Sequence, residues 1–96
     1  MAWSLRFASA VSHELKRLDR SDARFILDTL ERFAADFGPA YECELLRVGK
    51  VKHLKGEWEG YFRLRLRSFR VIYRKYQENL VILVVRVSHR REAYRS

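Results

Sequence analysis

Apolar and polar residues alternate over residues 3–7, which predicts a short first strand. Phe7, Val11, Leu15 and Leu18 then recur at spacings of four, four and three, the stripe of a helix over residues 8–18. Asp19-Arg20-Ser21-Asp22 breaks the stripe; Ser21 is placed to cap a second helix, with Asp22 near its positive end. Ile26, Leu30, Phe33 and Phe37 mark that helix, and Gly38-Pro39 is expected to stop it through a left-handed glycine cap. Two helices joined by so short a break predict an antiparallel hairpin with one shared apolar face.

Residues 41–48 read as strand or irregular, and Lys55-Gly56 as a turn. From Tyr61 the period becomes two: Phe62, Leu64 and Leu66 point one way, Arg63, Arg65 and Arg67 the other. A tight turn near Ser68 leads to a strand over residues 70–75, and residues 76–79 form the next turn. Residues 80–87 are almost continuously aliphatic, as a central strand is. Residues 88–96 read as a polar, basic tail. The expected order is β-α-α-β-β-β in one domain over residues 1–96. Its class is α+β, a helical hairpin on a small curved, mainly antiparallel sheet.

Length and composition narrow the class. Ninety-six residues, 48% hydrophobic and 33% charged, suit one small globular domain. The longest apolar run is six residues, too short to span a bilayer, and residues 1–10 lack the pattern of a signal peptide. The lone Cys43 excludes an internal disulfide. A cytoplasmic protein without membrane association is expected.

The net charge is +8 and unevenly placed. Residues 1–48 carry seven Lys or Arg against eight Asp or Glu; residues 49–96 carry thirteen against four, a net +9. Such a field attracts polyanions, nucleic acid foremost; a solvated basic face or a site for an acidic protein are the plainer readings. Arg63, Arg65 and Arg67 are expected on an open face, joined by Arg70 across the turn. Side chains two apart on a strand lie about 7 Å from each other, so each reaches a different phosphate. Guanidinium groups grip phosphate bidentately and keep their charge. No carboxylate lies between Gly60 and Gln77 to neutralise them.

The chain has no Walker loop, no GxGxxG and no nucleophile elbow. His13, His53 and His89 are scattered, Cys43 has no zinc spacing, and no paired carboxylates accompany the arginines to hold two metals. No cofactor or metal is expected. A nuclease of this composition is metal-independent and therefore acts on RNA, whose 2′-hydroxyl attacks its own neighbouring phosphate. His89 or Tyr94 is placed to transfer a proton or orient a base.

Leu54-Lys55-Gly56, Tyr61-Phe62-Arg63-Leu64-Arg65-Leu66-Arg67, Phe69-Arg70-Val71-Ile72-Tyr73 and Val87-Ser88-His89-Arg90-Arg91-Glu92-Ala93-Tyr94 follow one another in order. This series resembles the RelE/ParE toxin superfamily, and with the helical hairpin the resemblance covers nearly the whole chain. It implies the toxin of a type II toxin–antitoxin pair with a RelE-like microbial RNase toxin fold. The RelE branch is a ribosome-dependent mRNA endonuclease acting in the ribosomal A site, which gives a 2′,3′-cyclic phosphate and arrests translation. The alternative is a ParE-like DNA gyrase inhibitor without nuclease activity; a non-toxic RNA- or ribosome-binding module is a third reading.

Matched residue by residue, the resemblance implies Arg63 and Arg65 as the pair that positions the RNA. Arg70 stabilises the phosphorane, Arg90 or His89 assists the leaving 5′-oxygen, and Tyr94 stacks on a base. Lysines stand at positions 63 and 65 in the best-studied RelE type. Arginine is a poor proton acceptor, which makes these two electrostatic clamps and leaves the general base open. Lys52, Lys55, Arg67, Arg86 and Arg91 are expected to bind RNA. The implied partners are a RelB-like antitoxin, acidic, amphipathic and folding on binding, and the ribosome with its mRNA.

Overall fold

The computed structural model describes residues 3–89. β1 (Ser4–Phe7) leads into α1 (Ser9–Lys16), α2 (Arg20–Asp36) and α3 (Pro39–Arg47). β2 (Val51–His53), a 3₁₀ turn (Gly56–Trp58), β3 (Phe62–Leu66), β4 (Phe69–Tyr76) and β5 (Val81–His89) follow. The strands form one mixed sheet in the order β1-β5-β4-β3-β2, with β1 parallel to β5 and the other pairs antiparallel. The α+β class, the two-helix stripe and the three long strands agree with the sequence reading. Among the described residues, no helix is long and apolar enough to cross a membrane.

One face of the sheet meets the helices. Leu64, Leu66, Val71, Tyr73, Ile82, Val84 and Val87 bury there against Val11, Ile26, Leu30 and Phe33. Each large side chain so buried contributes about 1.5–3 kcal/mol. Tyr73 is the centre: its ring stacks on Phe62 at 5.3 Å and meets Phe33 edge-on at 5.4 Å.

Residues 41–48 correct the sequence reading most. Residues 41–47 belong to α3 and Val48 caps it, so the segment is not a strand. Pro39 opens this helix at a position where its missing N–H is not needed. Gly38 is extended, with φ −179°, so it gives no left-handed cap to α2. Glu42 hid the helix in the hydrophobic pattern: it faces inward, 8% exposed, and is held by Lys75 Nζ at 2.7 Å. Gly49 ends α3 at φ +80°, while Gly49 N–H and Lys50 N–H donate to Leu46 O and Leu45 O at 3.2 and 2.9 Å. These are the paired bonds of a Schellman motif.

Smaller corrections follow. Phe7 ends β1, is exposed, and does not join the α1 stripe. Ser21 lies in the first turn of α2, and the capping position is Asp19. β2 was not foreseen, being three residues long. β5 runs through His89, so Ser88 and His89 belong to the strand and not to the tail.

A bulge in β5 sets the faces. Tyr73 pairs with Val84, but Ile72 pairs with Arg86, leaving Val85 as the extra residue. Ile82 and Val84 face the helices on even positions; beyond the bulge, Val87 does so on an odd one.

Candidate functional site: a basic sheet face

The face away from the helices carries the charge, and its rows follow from the register. Lys52, Arg63, Ile72 and Arg86 stand opposite one another, as do Arg65, Arg70 and Ser88. Directly opposed residues share a face. Arg63, Arg65 and Arg70 are therefore brought together, as the alternation predicted. None of the five strands contains Asp or Glu.

The three arginines differ in exposure. Arg65 is open. Arg63 is half-buried and its guanidinium donates to Gly49 O at 2.9 Å, so the α3–β2 turn fixes it. Arg65 N–H donates to Lys50 O at 2.9 Å, which seats the same turn against β3. Arg70 is 3% exposed, in contrast with the open position the strand pattern gave it.

Arg86 stands on this face because of the bulge at Val85; uninterrupted alternation would turn it toward the helices. Its Nε lies 3.4 Å from Glu14 Oε2, while Glu14 Oε1 accepts the Val87 N–H at 2.7 Å. β1 pairs only with residues 81–84, and Glu14 of α1 covers the edge of β5 beyond it.

Two expectations change. Arg67 does not line the open face. It lies in the two-residue turn between β3 and β4 with φ +53°, and its guanidinium sits 3.7 Å over the Phe25 ring of α2. A residue in the left-handed region leaves the strand alternation, and the cation–π contact draws it to the helix layer. His89 is opposite Phe69, not Arg70; the rings meet edge-on at 5.6 Å on the helix side. Lys55 is exposed just before the 3₁₀ turn, at the turn the sequence predicts. Arg90, Arg91 and Tyr94 lie outside the described residues.

Sequence reasoning missed the other end of the same face. Arg6 and Arg74 share a row with Leu83, and Arg74 lies between Tyr61 and Tyr76, 5.5 and 5.3 Å from their ring centroids. The available signal was parity: positions 74 and 76 continue the set begun by 70 and 72. Among the described residues, no group of three or more His, Cys, Asp or Glu is placed to hold a metal ion.

Residues 5–94 match the family described as ParE toxin of type II toxin–antitoxin system, parDE. Toxin RelG of Mycobacterium tuberculosis (strain ATCC 25618 / H37Rv) is 34% identical over 95 residues, 99% of each chain. The RelBE2 toxin–antitoxin complex from Mycobacterium tuberculosis is similar with a TM-score of 0.64 at 27% identity, covering 94% of this chain and 100% of that one. The archaeal RelE–RelB complex from Pyrococcus horikoshii OT3 gives 0.70 at 22% identity over the whole of both chains, a likeness of fold.

Proposed function

The chain belongs to the RelE/ParE toxin superfamily of type II toxin–antitoxin systems, and from that premise we propose that it is a ribosome-dependent, metal-independent mRNA endonuclease held inactive by an antitoxin. The observation that carries this reading is the adjacency of Arg63, Arg65 and Arg70 on one sheet face whose strands hold no carboxylate. The 34% identity to Toxin RelG supports the same branch.

In this reading the RNA 2′-oxygen attacks the adjacent phosphorus and the 5′-oxygen leaves, taking up a proton. The products are a 2′,3′-cyclic phosphate and a 5′-hydroxyl. Arg63 and Arg65 clamp the phosphate; the bond from Arg63 to Gly49 O lowers the entropy lost in aiming it. Arg70, nearly out of water, stabilises the phosphorane more strongly than an exposed cation would. Arg90 assists the leaving oxygen and Tyr94 stacks on a base. The alternative for the leaving oxygen, His89, faces Phe69, so that step goes to Arg90. Among the described residues, the strand positions on the arginine face hold no histidine or carboxylate, and in this reading the 2′-hydroxyl proton passes to water. Lys52, Arg86 and Arg91 hold flanking phosphates, with Lys55 at the margin.

The antitoxin is acidic and amphipathic, folds on binding and neutralises this face. Its counterpart in the similar solved complexes is RelB or the RelBE2 antitoxin. The cytoplasm is the site of action.

The test is primer extension on mRNA from translating ribosomes. Cleavage with 2′,3′-cyclic phosphate ends, lost in Arg70→Ala, supports the proposal; no cleavage by the wild type refutes it. The name of the matched family favours a second reading, gyrase inhibition. Inhibition of supercoiling by the purified protein, without mRNA cleavage, selects it.

A further inference from the structure

We propose that Tyr61, Arg74 and Tyr76 form a stacking platform for a base of the same RNA strand whose phosphate the arginine cluster holds. This inference rests on the nuclease reading and names a substrate contact within it.

The platform lies on the arginine face. Arg74 and Tyr76 share the parity of Arg70 on β4, and Tyr61, one residue before β3, brings its ring under the Arg74 guanidinium. The guanidinium of Arg74 is 5.5 Å from one ring and 5.3 Å from the other, and Trp58 supports Tyr61 edge-on at 5.4 Å. Arg74 and Tyr76 are exposed. An exposed aromatic side chain with a guanidinium over its ring offers a base two flat partners, the ring and the positively charged guanidinium plane.

Continuity and charge identify the occupant as single-stranded RNA. A strand rises about 3.3 Å per residue, so Arg74 lies about 13 Å from Arg70 along β4. A stacked nucleic acid strand advances about 3.4 Å per nucleotide, and the gap is then no more than about four nucleotides. Ile72, Arg63 and Arg86 occupy the intervening row, and no strand carboxylate interrupts the track. Stacking ignores base identity, so the platform adds affinity more than codon choice.

The experiment measures binding of a fluorescein-labelled decaribonucleotide to the full-length protein by anisotropy across a range of salt concentrations. It needs no cleavage, so its outcome is separate from that of the nuclease test. Tyr76→Ala is expected to weaken binding about tenfold with the salt slope unchanged, because stacking releases no counterions. Tyr76→Phe retains the affinity. Arg74→Gln weakens binding and lowers the slope by about one. Wild-type affinity in both Tyr76→Ala and Tyr61→Leu overturns the proposal, as does failure of the wild type to bind the oligomer. So does a loss confined to binding of an acidic antitoxin peptide, which would assign these residues to the protein partner. Circular dichroism of each variant checks folding, and Tyr76→Phe controls for any that loses structure.

Discussion

The His89 ring meets the Phe69 ring edge-on, with 5.6 Å between centroids, on the helix side of the sheet. Arg70, next to Phe69 in sequence, points to the other side. One residue of β4 therefore separates the histidine from the arginine cluster. A histidine general acid leaves a limb near neutral pH in the rate profile. His89→Gln should lower cleavage less than tenfold, and the wild-type rate should stay flat between pH 6 and 8. A hundredfold loss, or a limb abolished by the substitution, would return His89 to the chemistry.

Gly49 links stability to the site. At φ +80° a side chain costs about 1 kcal/mol from the backbone alone, since an added Cβ meets nothing within 4 Å. Gly49→Ala should lower unfolding free energy in urea by that amount, and Gly49→Asn by less. Because Gly49 O holds Arg63, Gly49→Ala should also slow cleavage, whereas a surface substitution of equal stability cost should not.

Tyr73 makes the fold sensitive to alkali. Burial, with Glu42 beside it, holds the Tyr73 hydroxyl far above its ordinary value near 10. Below pH 10 both the folded and unfolded forms are neutral and the full stability is present. Above pH 10 the unfolded chain ionises and the folded one does not, so stability falls by about 1.4 kcal/mol per pH unit. Tyr73→Phe should remove this tyrosine's share of the slope in denaturation series from pH 9 to 11. The cost at neutral pH should be under about 1 kcal/mol, because the bond to Glu42 is long at 3.4 Å.

Glu14 closes the edge of β5. Glu14→Ala leaves the Val87 N–H without its acceptor and should cost about 1–2 kcal/mol. Amide exchange at Val87 should accelerate, while Glu14→Gln, which keeps an acceptor oxygen, should protect it. Equal exchange in all three proteins would show that the edge is satisfied otherwise.

The legible parts of this chain were those with local periodicity. Ile26, Leu30, Phe33 and Phe37 announced α2, and the alternation from Phe62 to Leu66 announced β3 and its arginine side. The helix α3 was not legible, because its inward position 42 holds a carboxylate. Its partner Lys75 is 33 residues away, and no local pattern shows that such a group is buried and paired. Arg67 also escaped the pattern: alternation assigns a face only while the backbone stays extended, and the turn begins at that residue.

By itself the sequence determined the class, the concentration of charge in the second half and the shared face of Arg63, Arg65 and Arg70. These follow from composition and from periods of two and 3.6, which each residue carries in its own neighbourhood. Only the tertiary structure decided the face of Arg86, Ser88 and His89. Residues 80–87 are aliphatic at nearly every position, so either parity buries apolar groups. The bulge at Val85 resolves the ambiguity through pairing with β4, and one extra residue exchanges the two faces of everything beyond it. The same pairing between distant strands brings Tyr61 to Arg74 and extends the basic face past the arginines the sequence had singled out.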